Sequence, residues 1–355
     1  MASEYGKRIR VSVFGESHGP AVGAVISGLP AGEDIDANLL RAFMARRQGG
    51  KSGISTARRE EDEPRILSGV RDGHTTGSPL ALTIENACQR SADYADLAGK
   101  PRPGHADYTA SVRYRGFQDP RGGGHFSGRL TAPLCAAGGI CLQLLSRRGV
   151  RIYAHACRIA GIDDTPFDPL GGDYGFIAER AFPTIDESAG ERMIAAIGEA
   201  AADQDSTGGV VECMADGVPA GVGDPIFDGV ENALAGAMFA LGGVRGIEFG
   251  EGFRAADLRG SQHNDGFFLD AQKQVRTRTN RHAGILGGIT SGMPILFRVA
   301  FKPTASIGKA QRTVNLHTLQ ETEIKVGGRH DPCIVPRAVP CVEAVTALVL
   351  ADYLL

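Results

Sequence analysis

The pentapeptides Gly28-Leu29-Pro30-Ala31-Gly32 and Gly217-Val218-Pro219-Ala220-Gly221 place the same turn at two points of one chain. Each follows a strand-like pattern and precedes a helix-like pattern and a double glycine. In the first copy, apolar residues alternate over 9–13 and resume over 21–26 beyond the polar tip Gly15-Glu16-Ser17-His18-Gly19, which predicts a hairpin. A helix is then expected, capped by Asp36, with Leu39, Leu40, Phe43 and Met44 on one face and Gly49-Gly50 at its end. In the second copy, 210–215 is the strand, 230–241 the helix and Gly242-Gly243 the stop. Either Pro-Ala-Gly is a common turn solution used twice, or the chain is an internally duplicated α/β fold with its site between the halves.

The rest of the pattern agrees with α/β. Strands are expected over 79–85, 150–154 and 295–301, a long helix over 127–148, an amphipathic surface helix over 186–203 and a surface loop over 166–173. An apolar helix over 340–353, with Pro340 in its first turn, closes the chain. The 49 glycines, about twice average usage, argue for tight turns rather than a helical bundle. A length of 355 residues suits one large domain or two to three ordinary ones.

Several function classes drop out. A net charge of −3 gives no overall attraction to nucleic acid or membrane. Neither G-x-x-x-x-G-K-[ST], nor G-x-G-x-x-G between strand and helix, nor H-E-x-x-H occurs, and the nine histidines show no metal-ligand spacing. The seven cysteines contain no C-x-x-C pair and read as reduced core thiols. With no hydrophobic signal core in residues 1–10, and no uncharged apolar run of the roughly 18 residues that span a bilayer, a cytoplasmic protein is expected.

What remains is a set of polar tips in glycine-rich turns. His18 sits where a strand reverses and suits a general acid. Arg102-Pro103-Gly104-His105-Ala106-Asp107 fixes the backbone before an imidazole that Asp107 can orient. Arg41, Arg46, Arg47, Lys51, Arg58 and Arg59 crowd a helix end and are answered by Glu60, Glu61, Asp62 and Glu63. That run is either a solvated face or an anion clamp. Arg121-Gly122-Gly123-Gly124-His125-Phe126-Ser127-Gly128-Arg129 offers free N–H groups at a helix start, with Phe126 as an apolar wall. Lys302-Pro303-Thr304-Ala305-Ser306 offers a cation and two hydroxyls, and Arg329-His330-Asp331-Pro332 leads into the last helix. Alone, each histidine turn also reads as a surface turn with a solvated side chain.

In this order, F-G-E-S-H-G at 14–19, R-P-G-H-A-D at 102–107 and G-R-H-D-P-C at 328–333 make the chain resemble the chorismate synthase family. G-I-E-F-G at 246–250, G-I-L-G-G at 284–288 and K-P-T-x-S-I at 302–307 are concordant. The resemblance implies a single-domain β-α-β sandwich, with related halves at about 9–150 and 205–355, assembled as a homotetramer. It implies a 1,4-anti elimination of phosphate from 5-enolpyruvylshikimate 3-phosphate, giving chorismate. It also implies reduced FMN, supplied by an external NAD(P)H-dependent flavin reductase.

Motif by motif, it assigns His18 to the leaving phosphate, His105 to flavin N1, and Asp331 with Ser127 to flavin N5. Arg47, Arg102, Arg129 and Arg329 would bind the substrate's phosphate and carboxylates. His125, Phe126, Ser127, Gly242, Gly243, Gly287, Lys302, Pro303, Thr304, Ala305, Ser306 and Arg329 would hold the flavin. The chain departs from the family at Gly53, His125, Leu130 and Gly242-Gly243. Two rivals remain: a flavin oxidoreductase, which would show net substrate oxidation or reduction, and a non-catalytic anion binder, which leaves the two glycine-flanked histidines unexplained.

Overall fold

Alternation in the N-terminal segment builds a sheet with one face inward. The computed structural model describes residues 3–49, 62–87, 99–327 and 330–355. Strands β1 (Glu4–Tyr5), β2 (Arg10–Gly15), β3 (Ala21–Ser27), β4 (Arg65–Ser68) and β7 (Leu80–Glu85) pair antiparallel in the order β1-β2-β3-β7-β4. Val11, Val22, Ala24, Ile26, Leu80, Leu82 and Ile84 point into the core. Between β4 and β7, the short β5 (Val70–Arg71) and β6 (His74–Thr75) form a hairpin.

The second sheet repeats that layout. Strands β8 (Arg151–Ile159), β9 (Ile162–Asp163), β10 (Gly209–Asp216) and β11 (Val244–Phe249) join β16 (Ile295–Phe301) in the order β9-β8-β10-β16-β11. Small hairpins pair β12 (Phe267–Leu269) with β13 (Val275–Thr277), β14 (Ile285–Leu286) with β15 (Ile289–Thr290), and β17 (Gln311–Asn315) with β18 (Gln320–Ile324). The helices are α1 (Ala37–Arg47), α2 (Asp107–Tyr114), α3 (Thr131–Arg147), α4 (Glu187–Ala202), α5 (Val230–Met238), α6 (Gly260–His263) and α7 (Val335–Leu354). Helix α3 packs on β3 and β7, α7 packs on β8 and β10, and the two helices pack on each other with α1 and α5 beside them. The result is the expected sandwich of two sheets enclosing helices, with a large core shared by both sheets and a second, smaller buried cluster.

The two Pro-Ala-Gly turns are held alike. Thr75 Oγ1 donates to the Pro30 carbonyl and accepts from Glu33 N–H, while Gly32 N–H donates to the Thr75 carbonyl. In the second sheet Thr290 Oγ1 donates to the Pro219 carbonyl and accepts from Val222 N–H, while Gly221 N–H donates to the Thr290 carbonyl. Gly28 and Gly217, at φ +93° and +81°, leave no room for a Cβ, which would meet the carbonyls of Arg8 and Gly149.

Several boundaries differ from expectation. Asp36 does cap α1, accepting from Asn38 and Leu39 N–H, but Leu39 is 59% exposed while Leu40 and Met44 are buried. The long helix begins at Thr131, because Ser127 Oγ caps a separate 3-10 turn over Gly128–Leu130. The last helix begins at Val335, where Ile334 accepts from Ala338 N–H, so Pro340 lies inside it and removes one ladder bond. The 166–173 loop is not wholly superficial, since Phe167 is buried with Ile177, Met214 and Leu296. The segment Gly128–Arg147 is long and apolar enough to cross a membrane, but 78% of its apolar window is buried between the sheets.

Of the described cysteines all six are free, and Cys135 and Cys341 approach within 3.5 Å; Cys88 lies outside the described residues.

Helices α3 and α7 touch where α3 has no side chain. A Cβ on Gly138 would lie 2.4 Å from the Ala344 carbonyl oxygen. Alanine favours a helix interior over glycine by about 1 kcal/mol, but overpacking here costs about 1–3 kcal/mol. Gly138→Ala is therefore expected to lower the denaturation midpoint; a variant as stable as the parent would show that the contact yields freely.

Candidate active site

The loop joining β2 to β3 and the residues after β7, β16 and α5 meet at one end of the sandwich, where α3 and α7 begin and α1 ends. Ser17 N–H donates to the Gly124 carbonyl and Ser17 Oγ to the Arg121 carbonyl, which draws the triple-glycine loop over the β2–β3 tip. Gly122, Gly123 and Gly124 have φ of +62°, +99° and +53°, a region that side chains disfavour. Close approach demands glycine as well. A Cβ on Gly122 would stand 2.5 Å from Cδ2 and Nε2 of the buried His18, and one on Gly123 would stand 3.2 Å from Cε1 and Nε2 of His105. Adjacent Cα atoms are about 3.8 Å apart, so both imidazoles lie against the same short stretch of loop.

His105 is anchored from behind. Its Nδ1 lies 2.6 Å from Asp107 Oδ1 and 3.1 Å from Arg102 Nη2. Arg102 Nε and Nη2 donate to the two Asp107 oxygens, and Nη1 donates to Ser306 Oγ at 3.2 Å. Burial alone would raise the Asp107 pKa, but the Arg102 and His105 hydrogen bonds outweigh it and hold the carboxyl well below the usual range. With Nδ1 committed to Asp107, Nε2 is the atom that meets a ligand.

Arg47 and Arg129 form the second cluster. Arg47 Nε donates to Thr131 Oγ1 at 2.8 Å and Nη2 to the Gly128 carbonyl at 3.0 Å. Arg129 Nε donates to Asn86 Oδ1 at 2.8 Å and Nη2 to the Glu85 carbonyl at 2.9 Å. Each Nη1 donates to a different oxygen of Asp62, and all three side chains are buried. Asp331 pairs with Arg337, whose Nε donates to the Arg47 carbonyl at 2.9 Å, tying this cluster to the start of α7. Both α3 and α7 direct their N-termini here, which favours anions.

The Lys302–Ser306 run closes the site. Lys302 N–H donates to the Gly243 carbonyl at 2.9 Å and Nζ reaches the Gly104 carbonyl. Burial, reinforced by Arg245, lowers the Lys302 pKa. Pro303 packs by Gly208, Ala305 by Gly104, and Gly243 by Ile334. Thr304 Oγ1 is buried with no partner among the described residues, and Phe126 is 43% exposed beside Tyr114. An orphaned hydroxyl, a lysine and an exposed ring fit the polar edge and flat face of FMN.

Three assignments stand apart. Gly287 lies in the β14–β15 turn, before β16, whereas Lys302 follows it. Seven residues at about 3.3 Å each separate the two by roughly 23 Å. His125 is turned to the chain start, with Nδ1 at the Gly15 carbonyl and Nε2 at Ser3 Oγ, both 2.8 Å. Gly242 has open space where a side chain would be. Lys51, Gly53, Arg58, Arg59 and Arg329 lie outside the described residues. Sequence reading passed over Asn86 and Arg337, and left Asp62 in a charge run. Among the described residues no group of His, Cys, Asp or Glu is arranged to hold a metal.

The family model for chorismate synthase matches residues 9–355. The chain belongs to the chorismate synthase family. It is 44% identical over 358 residues to the chorismate synthase of Korarchaeum cryptofilum and 47% over 350 to that of Thermococcus gammatolerans; each match covers 99% of this chain and 97% of the relative. The Aeropyrum pernix chorismate synthase is 48% identical over 352 residues, covering 99% and 92%. A crystal structure of chorismate synthase superposes with a TM-score of 0.76 at 28% identity, covering 98% of this chain and 92% of that one.

Within this chorismate synthase fold, the Asp107 pairing predicts a pH signature. A depressed carboxyl pKa stabilises the fold fully above the unfolded value of about 3.9 and is lost as pH falls through the folded value. Asp107→Asn is therefore expected to melt below the parent at pH 7, with the gap shrinking as pH drops below about 4. An unchanging gap on acidification would assign the pairing no such role.

Proposed function

We propose that the chain catalyses the chorismate synthase reaction, the last step of the shikimate pathway. Phosphate leaves 5-enolpyruvylshikimate 3-phosphate by 1,4-anti elimination to give chorismate. The observation that carries this reading is the packing of His18 and His105 against the consecutive glycines Gly122 and Gly123, in a chain matched to the family over 9–355.

The C3–O bond breaks with its electrons going to the phosphate, and a proton leaves C6. His18 Nε2, beneath Gly122, supplies or shares the proton that the departing phosphate takes up. His105 would act with both ring nitrogens protonated, Nδ1–H donating to Asp107 and Nε2–H to charge that builds during the reaction. Asp331, braced by Arg337, and Ser127, at the cap of the Gly128 turn, would assist removal of the C6 proton. Arg47, Arg102, Arg129 and Arg329 take the anionic groups of the substrate. Reduced FMN, when bound, supplies the transient electron density that makes loss of the unactivated C6 hydrogen feasible. The Lys302 to Ser306 run, Phe126 and Gly243 would seat it.

The same reading takes the chain as one domain of two related halves. The paired threonine staples support this, and β8 extends the second half back to Arg151. A homotetramer is supported by exposed side chains such as Phe117, Phe227, Phe253 and Leu319. Gly287 would then join a flavin seat across an interface. A cytoplasmic location agrees with the free thiols, and an external NAD(P)H-dependent reductase would supply the reduced flavin.

Anaerobic incubation with 5-enolpyruvylshikimate 3-phosphate and dithionite-reduced FMN should release phosphate and chorismate over many turnovers per flavin. Flavin oxidation in step with product would instead indicate an oxidoreductase. His18→Ala and His105→Ala are each expected to lower kcat by about a hundredfold or more, the scale of a lost general acid; parent rates in both would remove them from the chemistry.

A further inference from the structure

We propose that Asp62 is a resident carboxylate occupying the oxyanion seat between Arg47 and Arg129, and that a substrate oxyanion binds there by displacing it. This rests on the functional reading above, which gives both arginines to the substrate. That role conflicts with their surroundings, because both guanidiniums are buried and each already donates Nη1 to Asp62. Exchange of one anion for another removes the conflict.

The frame is built to survive the exchange. Thr131 Oγ1 and the Gly128 carbonyl hold Arg47, while Asn86 Oδ1 and the Glu85 carbonyl hold Arg129. These acceptors are neutral and sit at the ends of β7 and the start of α3, so the two guanidiniums keep their places whichever anion lies between them. The acid is carried differently. Asp62 lies outside any helix or strand, with φ +46°, a left-handed conformation uncommon outside glycine. Asp62 thus belongs to no hydrogen-bonded ladder, whereas Arg47 is fixed in α1 and Arg129 in the 3-10 turn at the head of α3. Each Asp62 oxygen takes one guanidinium, the bridging arrangement that a carboxylate or phosphate of the substrate would also adopt.

Titration calorimetry with inorganic phosphate and, separately, with shikimate, which carries the ring carboxylate without phosphate, tests this on the full chain. A tethered competitor acts at an effective concentration of millimolar or more. Asp62→Asn is therefore expected to bind one of the two ligands about tenfold or more tightly than the parent, and which one identifies the group that takes the seat. Weaker or unchanged binding of both would overturn the proposal. Should the variant fold poorly, crystals of the unaltered protein with the same ligands decide. An anion between Arg47 and Arg129 with Asp62 withdrawn supports exchange, and ligand bound with Asp62 still bridging refutes it. Displacement without chorismate formation would sink only the functional reading, and chorismate formation with Asp62 in place would sink only the exchange.

Discussion

The contact between α3 and α7 sets the geometry of everything else. Each helix lies on its own sheet, so the distance between the helices fixes the distance between the sheets. Gly138 lets the Ala344 backbone approach to where a Cβ would stand, and Gly139 does the same for Leu40 and Phe43 of the α1 side. Because the helices meet that closely, their N-termini open beside each other at one end of the sandwich. The paired glycines are thus a cause of the site as well as of the core. A second tie crosses the same layers, where Glu343 on α7 accepts from both Nη atoms of Arg46 on α1 and from Ala154 N–H on β8. Glu343 is buried, and a buried carboxylate must be paired in this way. It leaves Arg47, the next residue, at the mouth of the cluster.

Much of this was legible in the sequence because it depends on local rules. The β2–β3 hairpin, the Asp36 cap, β16 and the two proline turns follow from period, capping and turn chemistry, which act over a few residues. His18 and His105 stood out because glycine flanked them, and the glycines prove to be needed where the triple-glycine loop crosses the rings. The partners of those residues were not legible. Asp62 looked like one more charge in an acidic run, since nothing local tells a solvated carboxylate from one enclosed by arginines of α1 and the α3 turn. Arg337 precedes the 340–353 helix expected from the sequence, and of its two partners, Asp331 and the Arg47 carbonyl, the second is distant in the chain. The start of α7 differs for a physical reason too, because Pro336 fills the first-turn place that the sequence pattern offers to Pro340.

The two sheets share turn staples and a strand order that differs only at one edge, where β1 precedes β2 but β9 follows β8, yet the chemistry is lopsided. In the first sheet, β2 reverses into β3 through the short tip that carries Ser17 and His18. In the second, the corresponding reversal from β8 to β10 runs through residues 160–208 and folds back over the outer face of its own sheet. There His155 is buried with Nδ1 2.8 Å from Asp164 and Nε2 3.0 Å from Glu212. Burial works against its charge, but the two carboxylates prevail and raise its pKa. Phe167 covers this group, and its N–H also donates to Glu212. The histidine of the second sheet therefore pins a covering segment, whereas His18 of the first packs against Gly122 of the triple-glycine loop.

That asymmetry explains why a site formed between two similar halves need not be symmetric. A tight reversal brings its polar tip to the mouth of the sandwich, where the Gly122 backbone can lie against an imidazole. A long reversal cannot place a residue there with the same economy of contacts, but it can bury apolar surface, and Phe167, Ile177, Met214 and Leu296 do so. The second sheet contributes to the mouth through strand ends instead, by Lys302 after β16 and Gly243 before β11, joined through a backbone hydrogen bond. His18 and His105 come from the first half, and Lys302, Thr304 and Gly243 from the second. The division follows from which sheet kept its short turn.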